Sequence, residues 1–255
     1  MRIITLNVNG IRSAASKGFF EWLQTQKAQV ICLQEIKASL DITKGDQFHP
    51  EGYYCYYHNA QKSGYSGVGI FCGEKPKRVV RYLGWEQADK EGRYIQVDFN
   101  ALSIASLYMP SGTTGKQRQK IKFEFMKYYM KRLKHIRREK RSFIICGDWN
   151  IVHKKIDIKN FKSNQKNSGC LPEERAWIDE IFTKLGMVDA FRVLSKEPDQ
   201  YTWWSSRGHA WEKNVGWRID YQVITPDLKD CVKSVNIYKV QRFSDHAPLI
   251  IDYDY

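Results

Sequence analysis

The sequence predicts an α/β protein, a four-layered α/β sandwich of two mixed β-sheets packed face to face with helices on the outside. Three observations carry this. Eleven short β-like runs outnumber three helical stretches along the 255 residues. Each half opens on a strand that ends in an Asn-bearing edge, Leu6-Asn7-Val8-Asn9 in one and Gly147-Asp148-Trp149-Asn150 in the other. No Gly/Ser linker, low-complexity tract or shift of composition divides the chain, and 42% hydrophobic residues suffice for one sizeable core. A single domain over 1–255 is therefore expected.

The strands read as 1–8, 29–35, 53–58, 67–72, 77–83, 93–99, 102–108, 142–147, 218–225, 232–239 and 247–253. Helical periodicity marks 17–27, 116–140 and 173–185, the last opened by Leu171-Pro172-Glu173-Glu174 with its acids at the N-terminal turn. In the second helix Phe123, Met126, Tyr129 and Leu133 recur at helical spacing among Lys and Arg, which gives an amphipathic outer helix. Its basic face reads first as solvated and second as phosphate-gripping.

A formal charge of +13, from 41 Lys and Arg against 28 Asp and Glu, points to a polyanionic partner, nucleic acid before acidic membrane. Six cysteines without short paired spacing suit a reducing compartment and imply no zinc site. The chain opens on a strand rather than a leader, and no apolar run approaches the ~20 residues needed to span a bilayer, so a soluble intracellular protein is expected.

The chemistry gathers at strand ends. Ile144-Ile145-Cys146-Gly147-Asp148-Trp149-Asn150 is an apolar run that presents a carboxylate and a carboxamide two residues apart, hence on one side of an extended chain. Ile3 to Asn9 and Val30 to Glu35 repeat the device, and Ser244-Asp245-His246 precedes the apolar run Leu249-Ile250-Ile251. Four such clusters are expected to converge on one sheet edge and form a site for water and phosphate. Most other acids, Asp157, Asp179 and Asp189 among them, read as surface carboxylates or turn caps, and the five histidines other than His246 as structural or surface groups.

By its ordered motifs the chain resembles the exonuclease III type of abasic-site endonucleases, within the wider endonuclease/exonuclease/phosphatase superfamily. The matches run from Leu6-Asn7-Val8-Asn9-Gly10-Ile11-Arg12 through Gln34-Glu35-Ile36-Lys37, Gly64-Tyr65-Ser66-Gly67, Glu91-Gly92-Arg93 and Tyr108-Met109-Pro110. They continue through Gly147-Asp148-Trp149-Asn150, Leu171-Pro172-Glu173-Glu174-Arg175, Trp217-Arg218-Ile219-Asp220 and Ser244-Asp245-His246-Ala247-Pro248.

The resemblance implies an Mg2+-dependent phosphodiesterase, Mn2+ substituting, that cleaves DNA 5′ to an abasic site and trims 3′ ends. It implies Asn7, Glu35 and Asp245 as metal ligands, a hard oxygen set suited to magnesium, with Asp148, Asn150 and His246 as a possible second position. Asp148 is cast as the base toward the attacking water, Asn150 as a donor steadying it, and Tyr108 as a phosphate or leaving-group stabiliser. His246 is cast as a phosphate donor held by Asp220. Two positions depart from the pattern: Ser111 stands where many relatives carry an amide, and Asn9 where some carry Asp.

For DNA contacts the resemblance implies Lys37, Asn164, Asn167, Trp203, Trp217 and Ile219. Tyr201, Trp203, Trp204, Trp217 and Ile219 read as walls of a pocket for an everted base-free sugar, with core packing an equal reading for Trp204. The expected partner is double-stranded DNA with abasic sites or blocked 3′ ends, bound by a monomer with no membrane role. The expected location is cytoplasmic and nucleoid-associated in a bacterium, nuclear in a eukaryote. The alternatives are a phospholipid or inositol-phosphate hydrolase on the same fold, and a non-catalytic DNA-binding module.

Overall fold

The structure is a computed structural model and describes residues 1–255. The chain first lays down β1 (Arg2–Asn7), β2 (Val30–Gln34), β3 (Tyr54–His58) and β4 (Val68–Cys72). It then crosses to a second sheet with β5 (Arg78–Val80), β6 (Tyr94–Asp98), β7 (Leu102–Tyr108), β8 (Ser142–Asp148) and β9 (Val188–Asp189). A short ribbon, β10 (Trp203–Trp204) and β11 (Gly216–Trp217), precedes β12 (Asp220–Ile224) of the second sheet. Finally β13 (Val232–Ile237) and β14 (Leu249–Tyr253) return to the first. The orders are β13-β14-β1-β2-β4-β3 and β5-β6-β7-β8-β12-β9.

Both sheets are mixed, as predicted, and for the same reason. A parallel pair needs a crossover long enough for helix, and each sheet has one: β1 and β2 are joined through α1 (Ile11–Ser16) and α2 (Phe19–Gln26). The α-helices between β2 and β7 are the short α3 (Leu40–Thr43) and α4 (Glu86–Lys90); then β7 and β8 are joined through α5 (Lys116–Ile136). The remaining helices are α6 (Phe161–Asn164), α7 (Pro172–Thr183) and α8 (Ala190–Leu194). None of the helices is long and apolar enough to cross a membrane.

Alternation along each strand divides the core into layers. Ile3, Val30, Cys32, Ile104, Ile144 and Cys146 meet between the sheets. Ile4, Leu6, Ile31 and Leu33 face outward onto Phe19, Trp22 and Leu23 of α2, while Ala105, Leu107, Ile145 and Val223 face Phe125, Tyr129 and Leu133 of α5 and Ile178 of α7. Strands covered on both faces explain why they read as unbroken apolar runs.

Local details differ from the sequence reading. The basic helix ends at Ile136, and its inward stripe runs through Phe125, Met126, Tyr129 and Leu133, so Phe123 points outward at 36% exposure. The short α1 and α8 carry too few turns for periodicity to reveal them.

Asp157 and Asp189 correct a prediction: they are buried rather than surface groups, because β12 is entered through a buried arginine. Arg218, fully buried, donates from Nε to Asp157 Oδ1 at 2.8 Å and from Nη2 to Asp189 Oδ2 at 2.6 Å, while Arg192 reaches Asp157 at 2.6 Å. Burial alone would raise the Asp157 pKa, but the two guanidinium groups outweigh it and bring it to about 2. The stabilisation from this depressed carboxyl is therefore present above the ordinary carboxylate range and is lost as pH falls through about 2, a term of roughly 2 kcal/mol. Asp157→Asn is expected to remove that acid-sensitive component. Arg218→Met, which strands the buried Asp189 carboxylate and leaves Asp157 with Arg192 alone, is expected to cost about 3–5 kcal/mol. Urea unfolding at pH 7 and pH 3 checks both; an Arg218→Met protein as stable as the parent would contradict the account.

Candidate active site

The predicted clusters converge at the edge between the two packed sheets. They come from both sheets, at the carboxyl ends of the two parallel pairs. Register places Tyr108 beside Asp148 across β7 and β8, and Asp220 beside Asp148 across β12 and β8. From the first sheet come Asn7 at the end of β1, Glu35 just past β2, and Asp245-His246 in the loop before β14. Sheet-on-sheet packing closes the gap, and a cleft of about 820 Å³ opens over them.

Asp148 sits at its floor, 2% exposed, and accepts three hydrogen bonds. Asn7 Nδ2 donates to Oδ2 at 2.9 Å, Asn150 Nδ2 to the same oxygen at 3.2 Å, and the Asn150 backbone N–H to Oδ1 at 2.8 Å. His246 Nε2 lies 3.9 Å from Oδ2. Burial and the charge of Asp220 push the Asp148 carboxyl up to about 7, against the pull of His246, Asn7 and Asn150. A buried carboxylate whose affinity for a proton is raised in this way is suited to take one from water.

His246 Nδ1 is 2.8 Å from Asp220 Oδ2, an arrangement that fixes the ring with its proton toward Asp220. Burial alone would lower the imidazole pKa; Asp220, then Asp148 and Asp245, outweigh it and hold it up at about 10. The ring is thus a buried cation facing the cleft. Asp220 Oδ1 is buried with no hydrogen-bond partner. Tyr108 lines the same cleft; burial first, then Glu35 and Asp148, raise its phenol well above the ordinary value and keep it a donor. The Arg93 guanidinium lies over the Tyr108 ring at 4.8 Å and donates to the Tyr108 carbonyl at 3.0 Å.

Glu35 and Asp245 form the acidic side. Lys37 Nζ stands 2.9 Å from Glu35 and also donates to Asn9 Oδ1, while Asn9 Nδ2 donates to Asp245 Oδ1 at 2.8 Å. Trp203 Nε1 donates to Asp245 Oδ2 at 3.0 Å. Burial opposes ionisation of Asp245, but His246, Asn9 and Trp203 bring its pKa down, so it is a carboxylate. Asn7 is fully buried and its Oδ1 accepts from the Asn9 N–H at 2.9 Å. These groups are oxygen donors with lone pairs to spare, the chemistry a hard divalent cation requires. A second grouping, Asp148, Asp220 and His246, has donor atoms within 4.8 Å of one another, but there Asp220 already engages the imidazole.

The backbone here is strained. Asn9, Glu35, Lys37 and Asn150 all line the cleft with φ between 44° and 57°, in the left-handed region that costs a non-glycine residue of order 1 kcal/mol. Under Asn150 lies a buried ion pair, Lys122 with Glu174 at 2.7 Å, both side chains at most 1% exposed. Lys122 donates to the Asn150 carbonyl at 2.8 Å, and Glu174 accepts from the N–H groups of Gly169 and Leu171. At Gly169, φ 93°, a Cβ would come within 3.0 Å of the Asn150 carbonyl and 3.1 Å of Trp217. α5, α7 and the intervening loop thus hold the turn that aims Asn150.

Among the residues expected at DNA, Lys37, Asn167, Trp203, Trp217 and Ile219 line the cleft; Asn164 lies just outside it, donating to the Asn160 carbonyl and accepting from Asn167. Trp203 and Trp217 meet edge to face at 5.9 Å, whereas Tyr201 and Trp204 are core. Ser111 pairs with Thr113 at 3.0 Å. Sequence reasoning assigned no role to Tyr65, Arg93, Arg118, Gln119 or Lys116, which also line the cleft. Tyr65 lies between the guanidinium groups of Arg93 and Arg118, which grip Glu91. The Gly64-Tyr65 and Glu91-Gly92-Arg93 motifs were the available signal.

This fold is shared with known proteins. A sequence model of the Endonuclease/Exonuclease/phosphatase family matches residues 4–246, and the chain belongs to that family. It is 35% identical to an exodeoxyribonuclease of Bacillus subtilis, over 98% of both chains. It is also 35% identical to a DNA-(apurinic or apyrimidinic site) endonuclease of Dictyostelium discoideum, over 98% of this chain and 69% of that one. An AP endonuclease structure from Archaeoglobus fulgidus superposes with a TM-score of 0.89 at 25% identity, each chain fully covered. Within the family the chain thus falls in the exonuclease III type branch.

Proposed function

We propose that this protein is a DNA-repair nuclease that uses Mg2+, or Mn2+ in its place, to hydrolyse the phosphodiester 5′ to an abasic site. The products are a 3′-hydroxyl and a 5′-deoxyribose phosphate, and the same site trims blocked 3′ ends. The observation that carries the reading is the network at the cleft floor, in which Asp148 is gripped by Asn7 and Asn150 and faced by His246 on Asp220.

Glu35, Asp245 and Asn7 would hold the cation. Once bound, it supplies charge stabilisation to the phosphate under attack. Asp148 accepts the proton of the attacking water and is aimed by the two amides, so the nucleophile is positioned rather than made covalent. His246, cationic on Asp220, and the Tyr108 phenol donate to phosphoryl oxygens as charge grows on them. Trp203, Trp217 and Ile219 offer an apolar wall to a sugar turned out of the duplex, and eversion costs least where no base pair must be broken. One domain spanning 1–255 acts as a monomer on duplex DNA, in the cytoplasm or nucleus according to the cell.

The test is a labelled abasic duplex assayed beside recessed and 3′-phosphate ends and a phosphoinositide. Incision of the abasic strand is expected, falling at least about 10³-fold with chelator and returning with Mg2+ or Mn2+. Chelator-resistant incision, or turnover of the phosphoinositide alone, would refute the proposal.

A further inference from the structure

The longest helix, α5, carries a feature that the cleft chemistry does not use. Lys116, Lys120, Lys127, Lys131 and Lys134 are all exposed and fall at intervals of 4, 7, 4 and 3 residues. At 100° per residue these positions lie within about 60° of one another around the helix axis, a single straight stripe. Phe123 stands in the same stripe, exposed although aromatic. None of the five lysines takes part in an ion pair, whereas the cations on the other faces do: Arg118 with Glu91, Lys122 with Glu174, Arg132 with Glu139. Glu124 is the single acid on α5.

The placement runs against what helix stability alone favours. The N-terminal end of a helix attracts acids and disfavours cations, yet the first turn of α5 has no acid and opens on Lys116. That end points at the cleft: Lys116 and Gln119 line it, and the same two residues begin a shallow groove that continues along α5 past Lys120, Phe123 and Lys127. The stripe from Lys116 to Lys134 is about 27 Å long, which matches roughly eight base pairs of duplex.

We propose that the α5 lysine stripe is a second contact surface for duplex DNA, on which the arm leaving the cleft lies along the helix, its phosphates neutralised by Lys120, Lys127, Lys131 and Lys134. This rests on reading the cleft as a site that acts on DNA. Two features of the surface select duplex over another polyanion: the row of unpaired charges is as long as roughly eight base pairs, and it runs continuously out of the cleft. Contacts of this type read no sequence, as expected for an enzyme that must act wherever damage lies.

The experiment compares the wild type with Lys120→Gln, Lys127→Gln, Lys131→Gln and Lys134→Gln combined. The control is an equal loss of charge elsewhere on the surface, at Lys75, Lys229, Lys233 and Lys239. Glutamine is a good helix former, so the variant should melt with the wild type. Binding of undamaged duplexes of about 12 and 30 base pairs is measured across a salt series. The stripe predicts that the variant loses at least about 10-fold affinity for the long duplex and little for the short one. It also predicts a log–log salt slope shallower by about 2–4, near 0.9 per phosphate released, with the control unchanged. Equal slopes for variant and wild type on the long duplex would overturn the proposal, as would an equal loss of affinity for poly-glutamate, which would assign the face to an acidic protein segment. Undamaged DNA keeps the two readings separate. A protein that shows the stripe effect but never incises abasic DNA contradicts the proposed activity alone, and one that incises with an inert stripe contradicts this proposal alone.

Discussion

Asp148→Asn is expected to lower kcat on an abasic duplex by at least about 10³-fold while leaving duplex affinity within a few-fold of wild type. The substitution is nearly isosteric but removes the one group at the floor of the cleft able to take a proton from water. It also turns an acceptor-only group into one that is half donor. Asn7 Nδ2 and Asn150 Nδ2 both donate to Oδ2, so an amide nitrogen placed there would face two donors, and one placed at Oδ1 would face the Asn150 N–H. Neither orientation satisfies all three, and the aim of Asn150 should suffer with the loss of the base. Single-turnover incision and anisotropy binding on the same duplex separate the two effects. Retained incision would remove Asp148 from the role of base.

Asp220→Asn is expected to cost about 10²–10⁴-fold in kcat with a small change in KM, although Asp220 lies beneath His246 and does not line the cleft. Asp220 is the leading cause that keeps the imidazole charged against burial. Without it, burial dominates, and the ring pKa should fall from about 10 toward or below the ordinary histidine value, leaving a neutral ring of unfixed tautomer at neutral pH. The sign can be read directly: NMR titration of the His246 ring should show a downward move in Asp220→Asn, with the fold and Tm close to wild type. An unchanged ring titration with lost activity would place Asp220 in some other role, and an unchanged kcat would dismiss it as a positioning residue. The unpartnered Asp220 Oδ1 adds to the expectation, since a carboxylate kept buried with one oxygen unsatisfied is held there by what its other oxygen does.

Much of this was legible along the chain because it is local. Apolar runs between sheets and helices must be continuous, and each ended on a polar residue, so Asn7, Glu35, Asp148 and His246 were readable as strand-end groups. The exceptions share one cause. Asp157 and Asp189 look like loop acids until Arg218 is buried between them, and sequence spacing does not reveal that an arginine in the connection before β12 turns inward. Phe123 and Phe125 are two residues apart, and only the packing of α5 on the second sheet shows that Phe125 is the inward one. Lys122 and Glu174 read as ordinary charges of two amphipathic helices, yet they are among the most buried groups in the molecule.

The sequence by itself therefore determined the strands, the outer helices and the chemical character of each strand end, since these depend on periodicities of two and 3.6 residues and on side-chain chemistry. Only the tertiary structure decided which ends meet. Asn7 and Asp148 are 141 positions apart, and their hydrogen bond exists because the two sheets pack with the ends of their parallel pairs together. The same holds for Asn9 and Trp203 on Asp245 and for Asp220 opposite Asp148: each depends on register and sheet packing, which are set by the sum of many apolar contacts and not by any residue's neighbours along the chain.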